Sequence, residues 1–429
     1  MKKYYIKTLG CKTNQIESNL ISEQLSAHGY IKEENVQSAD IFILNSCSVT
    51  ANADNEAIKI IKKIKRTNPQ IITIITGCFA QLEAHTLNDI CEIDIVLGNT
   101  EKMFITDYIE KNKKINVSNI FEEKEFIYKK VENPTKTRAY LKIQDGCNNR
   151  CSYCTIWKAR GNSRSCKTED ILNQIETYVQ HGFEEIVLTG IHIGQWGGDF
   201  SQKRTFLDLI KDIENTNIKR YRLGSLDPFE LTDDLIDYLA KSKKFCPHFH
   251  MSLQSACNKT LKAMNRHYSV EHYLKQIEKI NKKFKLPFIG SDIIVGFPGE
   301  TKDDFEKTYN NIKKSGLTMA HVFPYSIRKD TAAAKMENQI PEEIKHLRLT
   351  KLKTLMQEKF EKFVKENIGA TQSVIFEKNI CKKTGYYKGL TSNYLTVYCP
   401  TENQVDVRGK MYNCIILEKQ GDKLICKPL

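Results

Sequence analysis

Short apolar runs alternate with amphipathic stretches over the first 112 residues. Tyr4–Lys7, Ile41–Leu44, Ile71–Ile75 and Ile93–Leu97 are strand-like, and Ile16, Leu20 and Leu25 recur at helical spacing between the first two. The alternation predicts a doubly wound α/β domain over residues 1–112. A charged stretch, Glu110 to Glu132, ends near Asn133-Pro134, where proline disfavours a continuing helix, so a domain boundary is expected there. From Ala139 the alternation resumes, with candidate strands at Ala139–Ile143, Glu185–Thr189, Tyr221–Gly224, His248–Ser252, Phe288–Ile294 and Met319–Phe323. Six βα units are too few for a closed eight-stranded barrel, so residues 133–364 are expected to form an open, partial (β/α)6 barrel with its ligand site at the C-terminal strand ends.

After Ile340-Pro341, Ile344, Leu347, Leu352, Leu355, Phe360 and Phe363 follow helical spacing, and Gly369 is a good terminator. Residues 365–429 change character, with short alternating runs at Ser373–Phe376, Tyr394–Tyr398, Val405–Val407 and Cys414–Leu417 split by Gly and Asn turns. That pattern predicts a small all-β barrel. It carries ten Lys or Arg against six Asp or Glu, with Tyr386, Tyr387, Tyr394 and Tyr398 interleaved, as either a nucleic-acid surface or a barrel core would.

Composition narrows the classes. At 429 residues, 40% apolar and 27% charged, the chain is long enough to bury two or three cores without staples. Its first residues, Met1 to Lys7, have no apolar leader core, and no stretch approaches the roughly 18–20 apolar residues of a membrane span, so a cytoplasmic protein with no membrane partner is expected. In that reducing compartment fourteen cysteines are free thiols or metal ligands. The formal charge of +13 would attract a polyanion such as RNA or DNA, although a lysine-rich composition alone gives the same number.

The sharpest motif is Gly146-Cys147-Asn148-Asn149-Arg150-Cys151-Ser152-Tyr153-Cys154, a C-x3-C-x2-C run directly after the first barrel strand. Three thiolates this close can hold three irons of one cluster, whereas structural zinc wants a fourth ligand and the next cysteine, Cys166, is twelve residues on. A second set follows from position. Cys11, Cys47 and Cys78 each lie just past the C-terminal end of a successive candidate strand, the edge of an open α/β sheet where ligands gather. Leu188-Thr189-Gly190 and Asp292 end the second and fifth barrel strands on the face that carries Cys147, and Tyr153 lies inside the cysteine loop. Tyr153, Thr189, Gly190 and Asp292 are therefore the candidate cofactor contacts. Cys91, Cys246, Cys257, Cys381, Cys399, Cys414 and Cys426 stand singly and are read as small hydrophobes or surface residues.

The C-x3-C-x2-C spacing resembles that of the radical S-adenosylmethionine superfamily, in which the open iron chelates S-adenosylmethionine. With Leu9-Gly10-Cys11-Lys12-Thr13-Asn14, Glu17-Ser18, Asn45 to Thr50, Thr76-Gly77-Cys78-Phe79-Ala80-Gln81, Ala159-Arg160-Gly161, Leu188 to His192 and His321 to Ser326, nearly the whole chain is similar to the methylthiotransferases. Within them it looks like the branch that modifies N6-threonylcarbamoyladenosine in tRNA, as Lys12 and Thr189 to His192 suggest. The resemblance implies a radical S-adenosylmethionine barrel, a C-terminal TRAM-like module that binds tRNA, and two [4Fe-4S] clusters. Cys147, Cys151 and Cys154 would hold the radical-generating cluster, and Cys11, Cys47 and Cys78 an auxiliary cluster that carries the sulfur. S-adenosylmethionine would act as both methyl donor and radical source, and a low-potential donor such as flavodoxin or ferredoxin would supply electrons.

The expected reaction puts a methylthio group on C2 of the adenosine beside the anticodon, and no acid or base residue is assigned. Trp157, Cys166 and Thr13 depart from the usual Pro, Arg and Val, and none is a cluster ligand. Two alternatives stay within the family, isopentenyl-adenosine tRNA or a ribosomal protein as acceptor. A third lies outside it, a non-catalytic RNA-binding protein with structural zinc.

Overall fold

Runs of Ile, Val and Thr between amphipathic helices build the N-terminal sheet. In the computed structural model, which describes every residue except Val49, Lys111, Asn112, Asn133, Thr135, 402–405 and the side chain of Ala51, six strands form it. They are β1 (Lys3–Thr8), β2 (Ile31–Lys32), β3 (Ile41–Ser46), β4 (Ile72–Gly77), β5 (Ile95–Leu97) and β6 (Ile115–Asn116), all parallel, in the order β2-β1-β3-β4-β5-β6. All of β3 is buried, as a central strand covered on both faces must be. The winding reverses between β1 and β3, which makes the crevice beyond their C-terminal ends the natural ligand site. Helix α1 (Lys12–Ala27) leaves β1 at this edge with Cys11 as its N-cap, and α2 (Ala51–Thr67) follows β3.

The domain end expected at 112 falls inside this sheet, because β6 pairs with β5 beyond it; Asn112 and the boundary residue Asn133 lie outside the described residues. The charged stretch is docked rather than free. Phe126, Ile127 and Tyr128 pack on the central core, and Val131 exchanges both backbone hydrogen bonds with Gln174, at 2.8 Å each. Alternation of Lys and Glu hid those few apolar anchors.

The central domain runs β7 (Ala139–Lys142), β8 (Gln144–Asp145), β9 (Arg164–Ser165), β10 (Glu185–Thr189), β11 (Arg220–Arg222), β12 (Ser225–Leu226), β13 (His248–Met251), β14 (Phe288–Val295) and β15 (Met319–Pro324). Parallel ladders β7-β10-β11 and β12-β13-β14-β15 make the open barrel. The third strand, expected whole at Tyr221–Gly224, is broken. Its ladder stops at Arg222 and resumes at Ser225, where Gly224 passes so close to Leu188 that an added Cβ would lie 3.0 Å from its carbonyl oxygen. The antiparallel β8-β9 pair, which periodicity did not suggest, frames the cysteine loop.

The helix Glu342–Asn367 crosses the boundary expected at 364 and leads into a closed five-stranded barrel. Its strands are β16 (Thr371–Ile380), β17 (Tyr387–Thr391), β18 (Thr396–Cys399), β19 (Met411–Gln420) and β20 (Lys423–Pro428). No strand forms at Asp406 and Val407, and Val405 lies outside the described residues. Tyr394 sits at φ 71° in the turn between β17 and β18 rather than starting a strand. This barrel is seated on the central domain: Arg220 donates to Leu390 O at 3.1 Å, and Arg222 to Thr391 O and Ser392 O at 3.1 and 3.0 Å. Among the described residues no helix is long and apolar enough to cross a membrane.

Candidate functional site

Register brings the first three cysteines together. Thr8 pairs with Asn45 and Asn45 with Thr76, so Cys11, Cys47 and Cys78 leave adjacent strands at one edge. Close approach there demands glycine. At Gly10 (φ +89°) an added Cβ would lie 2.6 Å from Cys47 Sγ, and at Gly77 (φ +94°) 2.3 Å from Ser46 O. Asn14 Nδ2 donates to Leu9 O and Ser46 O, both at 2.9 Å, tying the ends of β1 and β3. The N-terminus of the 16-residue α1 adds partial positive charge behind Cys11.

The second set sits on the loop between β8 and β9. Gly146 (φ +73°) passes Asn162 so tightly that a Cβ would meet its carbonyl oxygen at 1.9 Å. Ser152 anchors the loop, its N–H and hydroxyl donating to Met264 O and Ala263 O at 3.0 and 2.8 Å. Polar groups face each sulfur. Arg266 Nη1 donates to Cys151 Sγ at 3.3 Å, His192 Nδ1 lies 3.7 Å from Cys147 Sγ, and Ile156 N donates to Cys154 Sγ at 3.4 Å. Burial, then the neighbouring Cys151 and Cys147 sulfurs, pushes the Cys154 thiol up to about 12, a crowding of acidic sulfurs that cationic iron would relieve. Among the described residues no disulfide forms, and no three His, Cys, Asp or Glu side chains close on a single metal ion.

The segments that follow the two sets meet. Thr155 Oγ1 donates to Ser48 O at 3.4 Å, joining the residues that follow Cys154 and Cys47, and Arg328 bonds Ser48 Oγ and Asp54, each at 2.7 Å. Beside this junction lies a cavity of about 310 Å³ lined by Tyr153, Cys154, Asp292, Tyr325 and Arg328 among others. Tyr153 and Asp292 thus share one chamber with a loop cysteine. Thr189 and Gly190 do not line it; Gly190 instead lets β10 close on Gln144, whose Oε1 accepts from Ile191 N and His192 N at 3.1 and 2.7 Å.

A model of the radical SAM superfamily matches residues 141–312, and one of the uncharacterized protein family UPF0004 matches residues 3–98. The threonylcarbamoyladenosine tRNA methylthiotransferase MtaB of Bacillus subtilis is 36% identical over 424 residues, 96% of this chain and 93% of the relative. The chain belongs to the radical SAM methylthiotransferase family. MtaB of Aquifex aeolicus is likewise 36% identical over 92% of this methylthiotransferase, and a tRNA-2-methylthio-N(6)-dimethylallyladenosine synthase of Clostridium botulinum 36% over 87% (96% and 86% of those relatives). The fold matches that of the radical S-adenosylmethionine methyltransferase TsrM from Kitasatospora setae, solved with cobalamin and a [4Fe-4S] cluster, at a TM-score of 0.59 and 11% identity over 78% of this chain and 77% of that one.

A buried charge cluster welds the two halves of the methylthiotransferase site. Glu17, 1% exposed, receives Arg160 Nη1 at 2.5 Å and Nη2 at 3.0 Å, Lys102 at 2.5 Å and Lys142 at 2.8 Å. Burial alone would raise its carboxyl; Arg160, Lys102 and Lys142 outweigh that and hold it well below the usual range. Arg160 also donates to Asn14 Oδ1 at 2.7 Å and to Cys78 Sγ at 3.3 Å. Sequence motifs contained Glu17 and Arg160 but not their partnership. On the other side His192, Asp227, Glu230 and Arg266 form a second cluster, with Glu230 2.6 Å and Asp227 3.3 Å from His192 Nε2, and Asp227 paired with Arg266. Sequence reading missed Asp227, Glu230 and Arg266. Gly194 makes room for one of them, since an added Cβ there would collide with the Glu230 carboxylate.

Two of the three departures, Trp157 and Cys166, have structural accounts. Trp157 packs on Phe121 and carries Arg150 4.4 Å above its ring, while Arg150 Nη1 donates to Cys147 O at 2.7 Å. Cys166 is wholly buried in the central core and its carbonyl accepts from Trp196 Nε1 at 2.8 Å, so this position offers no phosphate contact.

Proposed function

We propose that this methylthiotransferase puts a methylthio group on C2 of N6-threonylcarbamoyladenosine beside the tRNA anticodon. The reading is carried by two three-cysteine sets, one at the strand ends of the N-terminal sheet and one on the barrel loop, each cradled by glycine and with arginine donating to a sulfur, and joined where Thr155 meets Ser48. Relatives bearing the threonylcarbamoyl name over 96% and 92% of the chain support the acceptor, as does Lys12 directly after Cys11. In this reading Cys147, Cys151 and Cys154 hold one [4Fe-4S] cluster and Cys11, Cys47 and Cys78 the other. When bound, the clusters and S-adenosylmethionine supply the electron, the sulfur, the methyl group and the radical.

The chain's own residues position and seclude. Tyr153 and Asp292 border the space for S-adenosylmethionine, with Gly190 acting at one remove by letting β10 close on Gln144 and Thr189 by accepting from Ile143 N. Arg266 and His192 orient two sulfurs of one set and Arg160 one of the other, while the walled chamber keeps water from reactive species. A basic C-terminal barrel binds the anticodon arm, and a low-potential flavodoxin or ferredoxin is the electron source.

Anaerobic reconstitution should give about eight irons per chain, falling to about four when Cys11, Cys47 and Cys78 are all Ala. The product on an anticodon stem-loop carrying threonylcarbamoyladenosine, read by nucleoside mass spectrometry, decides the acceptor. Full iron in the triple variant would overturn the auxiliary site, and turnover of isopentenyl-adenosine RNA alone would overturn the acceptor.

A further inference from the structure

A second cavity, of about 410 Å³, opens where all three parts of the chain meet. The N-terminal domain contributes Lys12, the barrel His248, His250 and His321, and the C-terminal barrel Tyr394. Strand β14 lends Gly290 and Ser291 to this cavity and Asp292 and Ile294 to the chamber described above. Asp292 Oδ2 lies 3.6 Å from His250 Nε2, so the two spaces are one side chain apart. Neither composition nor spacing assigned this cavity a ligand.

Its walls are built for an anion. Lys12 is half-buried at the cavity and has no hydrogen bond or ion pair among the described residues. Glu185, the carboxylate whose field reaches it, is already held by Arg220 at 2.6 Å and Arg222 at 3.3 Å, and Arg222 and Arg138 add to the positive field. His248 is 4% exposed, its Nδ1 has no partner, and its ring stacks on Tyr394 at 3.9 Å. A lone ammonium, an unsatisfied buried imidazole nitrogen and a flat aromatic pair together ask for a ligand with a negative charge, a polar group and a planar body.

We propose that Lys12 determines acceptor specificity by receiving the carboxylate on the N6 substituent of the target adenosine, with His248 as the polar partner. The inference rests on the threonylcarbamoyl reading and names the group that reads it. A bound substituent without charge would displace water from Lys12 and His248 and give them no partner in its place. Sites built around a polar partner discriminate strongly against the analogue that lacks it. Lys12 follows Cys11 directly, so the anchor for the substituent stands beside the sulfur-carrying edge.

Three anticodon stem-loops test this, bearing threonylcarbamoyladenosine, its carboxylate methyl ester, or isopentenyl-adenosine, with the reconstituted holoenzyme and with Lys12→Met and Lys12→Arg. The wild type should prefer the acid over the ester by about 10- to 100-fold in kcat/KM, the scale of one charge-assisted hydrogen bond. Lys12→Met, compared at equal iron content, should lose that preference through a higher KM for the acid, and Lys12→Arg should restore part of it. A wild type indifferent to esterification overturns the proposal without any variant. Lys12→Met that keeps the wild-type acid-to-ester ratio overturns it too. Wild-type activity on isopentenyl-adenosine alone instead refutes the acceptor reading beneath it.

Discussion

Replacing Glu17 by Gln keeps the side chain's shape and removes the one carboxylate shared by Arg160, Lys102 and Lys142. Arg160 and Lys102 are 0% exposed, so their charges cannot turn to water when the partner is lost. Breaking a buried ion pair from one side costs about 3–5 kcal/mol, and here three cations are left, with Asp145 the nearest remaining anion to Lys142 at 2.7 Å. A chain of three packed parts does not unfold in one step, so the proper observable is local opening. Hydrogen exchange protection of α1 and β7 amides should fall by roughly two to three and a half orders of magnitude, the ratio those energies set.

Adding Lys102→Met to the Gln variant should recover part of the loss by relieving like-charge crowding. The pH dependence has a definite sign. A carboxyl held below its unfolded value stabilises fully above about pH 4.3 and loses that contribution as pH falls through the folded value, so the difference between wild type and variant should be constant from pH 7 to 5 and shrink below 4. Protection within tenfold of wild type, or a further loss on adding Lys102→Met, would refute the reasoning.

Gly146→Ala should cost the C-x3-C-x2-C site its iron, leaving about four per chain, because a Cβ would meet Asn162 O at 1.9 Å; a full load would show that the loop can yield. Replacing exposed Lys382, Lys383 and Lys388 with Ala should lower the slope of tRNA affinity against salt by up to about two units, and an unchanged slope would move the phosphate contacts elsewhere. Point changes are preferable to deleting residues 370–429, since the C-terminal barrel covers Phe288 and Phe363 and its removal would strip part of the core.

What the sequence by itself determined is what local pattern and spacing encode. Period-two and period-3.6 alternation placed the strands that carry Cys11, Cys47 and Cys78, and a run of nine residues held the other three cysteines close whatever the fold. Spacing could not reveal pairings made across distance. Glu17 meets Arg160 over 143 residues and Cys151 meets Arg266 over 115, and no local rule links a buried acid to one base among 65. Two-residue strands such as β6 are too short to show a period, and they form because a neighbouring strand offers a ladder. Tyr394 reads equally well as an RNA-stacking residue or as core; only packing put it on His248, at the wall of a cavity shared by three parts of the chain. Long-range burial decides which charges must find partners, and that is why the ligand spacing was legible in one dimension while the charges around the ligands, and the lysine left without one, needed three.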